Sequence, residues 1–145
     1  IKPMVNQVET HPHDQQKTAH EWMNKYSAVH EAWAPFGEGR GGLFTESVLA
    51  KIGGKYGKTA AQVILRWHLQ RGIVVIPKST HIERMEENFN VFDFALSDED
   101  MKEIAALDKE QSSFFSHTDP NMVEWFVKMV GGRRGKTSDP AKKSW

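Results

Sequence analysis

The sequence contains no cysteine. That excludes disulfides, a thiolate nucleophile and thiolate-bound zinc, and it suits a reducing cytoplasm. No apolar run approaches the ~20 residues that a membrane-spanning helix needs, and no leader pattern is visible, so no membrane partner is expected. Neither sign of charge is in excess, with 19 basic and 19 acidic residues. A balanced chain has no global attraction to nucleic acid or to an anionic surface, and nucleic acid is not expected as a partner. Tyrosine is scarce: only Tyr26 and Tyr56 occur, both on helix faces expected to be buried. The glycine run Gly37, Gly39, Gly41, Gly42 lacks the Gly-Lys-Ser/Thr ending of a Walker loop.

What is present is a regular alternation of short apolar runs and amphipathic stretches, in 145 residues, about one domain's worth. Met4 to Glu9 reads as a strand. Asp14 is placed to cap the following helix, whose Ala19, Trp22, Met23 and Tyr26 fall on one apolar face. Ala28 to Ala34 reads as a second strand, and Pro35 to Gly42 as a glycine-rich loop. Thr45 is placed to cap a helix that turns Val48, Leu49, Ile52 and Tyr56 inward and ends at Gly57. Thr59 to Gln62 has the form of a capping box, followed by a buried stripe of Ala60, Val63, Ile64 and Trp67, with Gly72 as the terminating glycine. Ile73 to Ile76 is apolar at every position, as a strand covered on both faces should be. Thr80 to Glu83 and Ser97 to Asp100 open two more capped helices, the second with Leu96 and Met101 placed as a hydrophobic staple.

This order is repeated strand–helix–strand, hence a parallel sheet with helical cover. Three strands are few for such a sheet, and the chain reaches its first strand almost at once, so more strands are expected from elsewhere. Gln111 to Val130 reads as a mobile segment over a groove with a short final helix, and residues 131–145 as a disordered basic tail.

The stretch Ile76-Pro77-Lys78-Ser79-Thr80-His81-Ile82-Glu83-Arg84 carries the chemistry. A strand ends at Pro77, and a helix begins directly after Lys78 and Ser79. At a helix N-terminus the first N–H groups lack partners and the dipole is positive, so an anion fits there. Arg84 offers a planar fork suited to phosphate, and Asn88, one turn on, an amide suited to a base edge. The bland alternative has Lys78 and Arg84 solvated, Thr80 a simple cap and Asn88 ending a turn. A metal site is a weaker reading. His11, His13, Asp14 and His20 lie close in sequence, but Pro12 forces an extended turn and no second ligand set follows at zinc spacing. His117 faces either a substrate or solvent.

Ile76-Pro77-Lys78-Ser79 with Arg84, Glu87-Asn88 and Val91-Phe92-Asp93-Phe94 resembles the C-terminal signature of the aldo-keto reductases. Val5-Asn6-Gln7-Val8-Glu9-Thr10-His11-Pro12 resembles their sixth barrel strand. Ala32-Trp33-Ala34-Pro35-Phe36-Gly37 resembles the seventh, with Trp33 where many members carry tyrosine. The resemblance runs from about Ile1 to Val130. It implies an α/β fold, the C-terminal part of a (β/α)8 TIM barrel with about three parallel strands, incomplete as a single chain. Residues 1–110 would form the barrel segment with the NADP-binding motif, and residues 111–130 the substrate loop.

The resemblance also implies roles. Gln7 would bond the nicotinamide carboxamide and Trp33 would stack on the ring, although an inward polar residue and a core tryptophan are the plainer uses of both. Ala34, Pro35 and Phe36 would shape the loop over the pyrophosphate. Lys78, Ser79, Thr80 and Arg84 would hold the 2′-phosphate of NADPH, and Glu87 and Asn88 would contact adenine. The partners implied are NADP(H) and a small carbonyl substrate. The family's acid is a tyrosine tuned by lysine and aspartate beside a histidine, on early strands that have no counterpart in this sequence, so no catalytic residue is carried over. The expected function is therefore the C-terminal portion of an NADPH-dependent carbonyl reductase. The alternative is an inactive nucleotide-binding or assembly module that associates with itself, or with a missing N-terminal half, to complete a sheet.

Overall fold

The computed structural model describes residues 1–116 and 119–134, in two units, Ile1–Ser113 and Phe114–Trp145. In the first unit, β1 (Val5–Glu9), β2 (Val29–Trp33) and β3 (Val74–Val75) form a parallel sheet in the order β1-β2-β3. The register pairs Val5 with Val29 through Glu9 with Trp33, and Glu31 and Ala32 with Val74 and Val75. The helices are α1 (Lys17–Lys25), α2 (Ser47–Tyr56), α3 (Ala60–Gln70), α4 (Ile82–Phe89) and α5 (Asp98–Ala105). The second unit contains α6 (Asn121–Arg134).

Side chains alternate between the two faces of a strand, and here the faces differ sharply. On the helix side His30, Ala32 and Ile73 are buried. On the other side Val5, Val29, Val74 and Ile76 are each 43–51% exposed. The strand expected to be covered on both faces is thus covered on one. The core lies on the helix side, where Leu49, Ile52, Val63, Ile64, Trp67, Leu96 and Ile104 pack together with Leu43.

Local chemistry sets the helix ends. Thr59 Oγ1 accepts from the Gln62 N–H, and Gln62 Oε1 accepts from the Thr59 N–H at 3.1 Å, a complete capping box. Gly57 closes α2 and Gly72 follows α3, both at positive φ. Gly53 is required for a different reason: a Cβ there would lie 2.3 Å from the Lys58 carbonyl oxygen, because the chain folds back to donate Lys58 N–H to Gly53 O. Ser97 and Asp100 form a second capping box at α5.

Three expected caps are not made. Asp14 instead pairs with His11 in an isolated bridge, and α1 starts after Gln16 in the left-handed conformation. Thr45 lies in a 3₁₀ turn, donating to Gly42 O at 3.0 Å, and Glu46 precedes α2. His81, not Thr80, precedes α4, and its N–H is taken by Ser79 Oγ at 3.1 Å. In each case a tight local turn satisfies the backbone first. The apolar face of α1 is also not what its spacing suggests. Met23 is buried, but Trp22 and Tyr26 are 52% and 58% exposed and stack on each other with Lys25 over the Trp22 ring. The final helix is longer than expected: α6 takes in residues 131–134 of the supposed tail, while His117 and residues 135–145 lie outside the described residues.

Candidate functional site

The position of α4 is fixed from behind by α3. Gln62, already part of the cap, donates through Nε2 to the carbonyls of Glu87 and Asn90 at 3.1 and 3.0 Å. These are carbonyls at the C-terminal end of α4, where the helix's own ladder runs out; the Glu87 carbonyl also accepts from the Asn90 N–H at 3.1 Å. Arg66 donates to Val91 O at 3.3 Å, and Lys58 pairs with Asp93 at 2.7 Å. With its C-terminal end held, α4 presents its first turn, and the Lys78–His81 approach to it, at a cleft of about 580 Å³.

Lys78, Ser79, Thr80, Arg84, Glu87 and Asn88 all line this cleft, together with Phe36 from the loop after β2. Seven of the eleven residues singled out in the sequence therefore meet in one place. Thr59, Phe44 and His81 line it too. Phe44 was not foreseen because its place depends on the turn after the glycine run, where its ring packs at 5.4 Å from that of Phe36. Glu87, the acid of the group, accepts a hydrogen bond from Thr59 Oγ1. Lys78 and Arg84 make no ion pair among the described residues. Two cations without an ion pair among the described residues thus share one concavity with two hydroxyls and a helix start, groups whose chemistry suits an anion.

The other four expected residues lie elsewhere. Gln7 and Trp33 share the open face of the sheet by register, and the Gln7 amide donates to Glu31. Ala34, at φ 49, makes the turn after β2, and its carbonyl accepts from Gly37 N–H at 2.8 Å. Pro35 is buried. The four early histidine and aspartate positions do not converge. His11 and His13 meet edge to face, and His20 Nδ1 lies 3.0 Å from His30 Nδ1. Burial holds His30 down to about 4 and His68 to about 3, so both rings are neutral near pH 7.

A tyrosine, a lysine and an aspartate do come together at the start of α5, and the geometry accounts for them structurally. Tyr56 Oη donates to Asp100 and accepts from Ser97 N–H, while Lys55 Nζ bonds both Asp100 oxygens at 3.0 and 3.2 Å. Burial pushes the Asp100 carboxyl up, but the hydrogen bonds from Tyr56, Lys55 and Ser97 outweigh it and hold the group at about 2. The Tyr56 hydroxyl is spent on a helix cap, and Tyr26 is exposed on α1.

Residues 1–109 match the family model described as "Aldo/keto reductase family". The chain belongs to the aldo/keto reductase family. Among its relatives in that family, the methylglyoxal reductase DkgA of Escherichia coli (strain K12) is 44% identical over 109 residues, covering 75% of this chain and 40% of the relative. The glyoxal reductase of Bacillus subtilis (strain 168) is 49% identical over 111 residues, covering 77% and 40%. Solved structures agree. MGS-M4, an aldo-keto reductase enzyme from a Medee basin deep-sea metagenome library, superposes with a TM-score of 0.78 at 42% identity, over 82% of this chain and 44% of that one. A Gox0644 mutant in complex with NADPH gives 0.73 at 41% identity, over 82% and 42%. This aldo/keto reductase chain thus spans 40% of the length of the curated relatives named. Among the described residues, no helix is long and apolar enough to cross a membrane.

Proposed function

We propose that this chain supplies the NADP(H)-binding part of a carbonyl-reducing aldo-keto reductase barrel. The observation that carries the reading is the meeting of Lys78, Ser79, Thr80 and Arg84, whose cations make no ion pair among the described residues, in one cleft beside Glu87 and Asn88. The donor set fits the extra phosphate that distinguishes NADPH from NADH. On this reading Lys78, Ser79, Thr80 and Arg84 hold the 2′-phosphate, and Glu87 and Asn88 contact the adenine. Ala34, Pro35 and Phe36 shape the loop at the pyrophosphate. Gln7 and Trp33, on the open face, serve the nicotinamide end; the Gln7 carbonyl oxygen has no donor among the described residues and is free to accept one. NADPH, when bound, supplies the hydride that reduces an aldehyde or ketone.

Neither tyrosine serves as the acid that protonates the developing alkoxide, since Tyr56 is engaged in a cap and Tyr26 is exposed on α1 and does not line the cleft. Residues 111–130 take the role of the family's substrate loop on this reading. The exposed valines on the inner face and the apolar groove between β3 and α4, about 490 Å³ and lined by Ile73, Val75, Met85 and Phe89, favour covering by further barrel strands. On this reading the partner surface is one that carries the other strands of the family's barrel. Self-association of this chain is the second reading, favoured by the same exposed face. A well-behaved monomer in a solution mass measurement would count against both.

Titration with NADPH and NADH tests the cofactor reading. Arg84→Ala should weaken NADPH by about 1.5–3 kcal/mol, the range for a lost charge-assisted bond, and leave NADH nearly unchanged. Equal losses for the two dinucleotides would show that Arg84 does not read the 2′-phosphate.

A further inference from the structure

The C-terminal end of β1 carries a buried carboxylate that neither the cleft nor the core requires. Glu9 and His11 are both fully buried. Glu9 Oε1 accepts from His11 Nε2 at 2.9 Å and from the backbone N–H of Ser113 at 2.8 Å, and Oε2 accepts from the Ser112 hydroxyl. The Ser113 hydroxyl lies 3.1 Å from the same His11 nitrogen. A carboxylate only accepts, so Nε2 carries the proton. His11 Nδ1 is buried without a partner among the described residues, so the ring acts through Nε2 alone.

Removing a carboxylate from water is costly unless donors converge on it. Here two of the donors come from 103 and 104 positions along the chain. An aliphatic residue would fill the space equally well, but it would not select which residues arrive opposite it. Ser113 is also the last residue of the first unit. Gly37, at φ +57, closes over it: a Cβ there would meet Ser113 Oγ at 3.4 Å and Leu43 Cδ1 at 3.5 Å. The glycine loop that carries Phe36 and the start of the C-terminal segment therefore share one buried anchor.

We propose that Glu9, oriented by His11, is a positioning residue that fixes the register at which the C-terminal segment leaves the sheet. It stands at the carboxyl end of a parallel strand, the end where such folds place their ligands. Its consequence for a substrate pocket rests on the function proposed above; the anchor itself does not.

Amide exchange at Ser113 and chymotryptic cleavage at Phe114 and Phe115, both measured on the full chain without ligand, read the anchor directly. Glu9→Ala should raise both rates by about tenfold or more, while the amides of α3 keep their wild-type exchange. Glu9→Gln keeps one acceptor oxygen and should recover part of the protection, which a purely space-filling role would not predict. Unchanged exchange at Ser113 would overturn the proposal. So would a uniform loss of protection across α3, or a Gln variant no better than Ala.

Discussion

The two faces of the sheet come from the same three strands and behave as different materials. The helix side is dry: His30, Ala32 and Ile73 are buried against helices supplied by the same stretch of chain. The other side carries the exposed Val5, Val29 and Val74 with Gln7 and Glu31, and is covered only toward the end of β1, where Ser112 and Ser113 close over Glu9. A strand residue has no preference for one side until a partner exists. The helix side is completed by crossover connections that follow each strand directly, whereas the exposed valines of the other side have no such local cover among the described residues.

The sharpest way to break this comparison is to empty the dry side. Trp67 is 1% exposed in the helix-side core, and Trp67→Ala should cost about 4 kcal/mol in chemical denaturation. A loss below about 1 kcal/mol would mean that the core is not the source of stability.

The next effect is on pH. His30 is buried, and its folded value is lowered from 6.5 to about 4. For a base lowered on folding, the stability is fully present above the unfolded value and is lost as pH falls from 6.5 toward 4, here by about 3 kcal/mol. His30→Phe should remove the His30 share of that acid loss and leave the share from His68, which is lowered to about 3; denaturation at pH 7 and pH 4.5 would read the difference.

A smaller effect follows at the turn from α2 to α3. Gly53→Ala places a methyl against the Lys58 carbonyl and should cost about 2 kcal/mol; a neutral result would mean that the backbone shifts freely. Smallest of all, Val29→Ser on the inner side should change the stability of the chain alone by no more than about 0.5 kcal/mol. If it proves as damaging as a core substitution, the inner face is already covered in solution, and the measured mass will show by what.

Much of the architecture was legible because it is local. The capping boxes at Thr59 and Ser97, the stop at Gly57 and the stripe Val63, Ile64, Trp67 are written within one or two turns of chain. The cations of the cleft were legible too, since Lys78, Ser79 and Arg84 lie within seven positions of one another around a helix start. The misread places all involve competition for a partner. Asp14, Thr45 and Thr80 are good capping types, but a nearby turn takes each backbone group first. Trp22 and Tyr26 have helical spacing yet find no neighbour to cover them. Glu9 looked like an ordinary strand end, because its donors lie about a hundred positions away.

By itself the sequence determined the order of elements, the parallel sheet, the family and the charged residues at the start of α4. Those depend on periodicity, backbone preference and motif spacing, all short-range properties. Only the tertiary structure decided which face of the sheet is dry, that Gln62 of one helix holds the far end of another, and that Glu9 captures Ser112 and Ser113. Each of these needs groups distant in sequence to arrive within hydrogen-bonding or van der Waals reach, and that proximity exists only once the chain has folded.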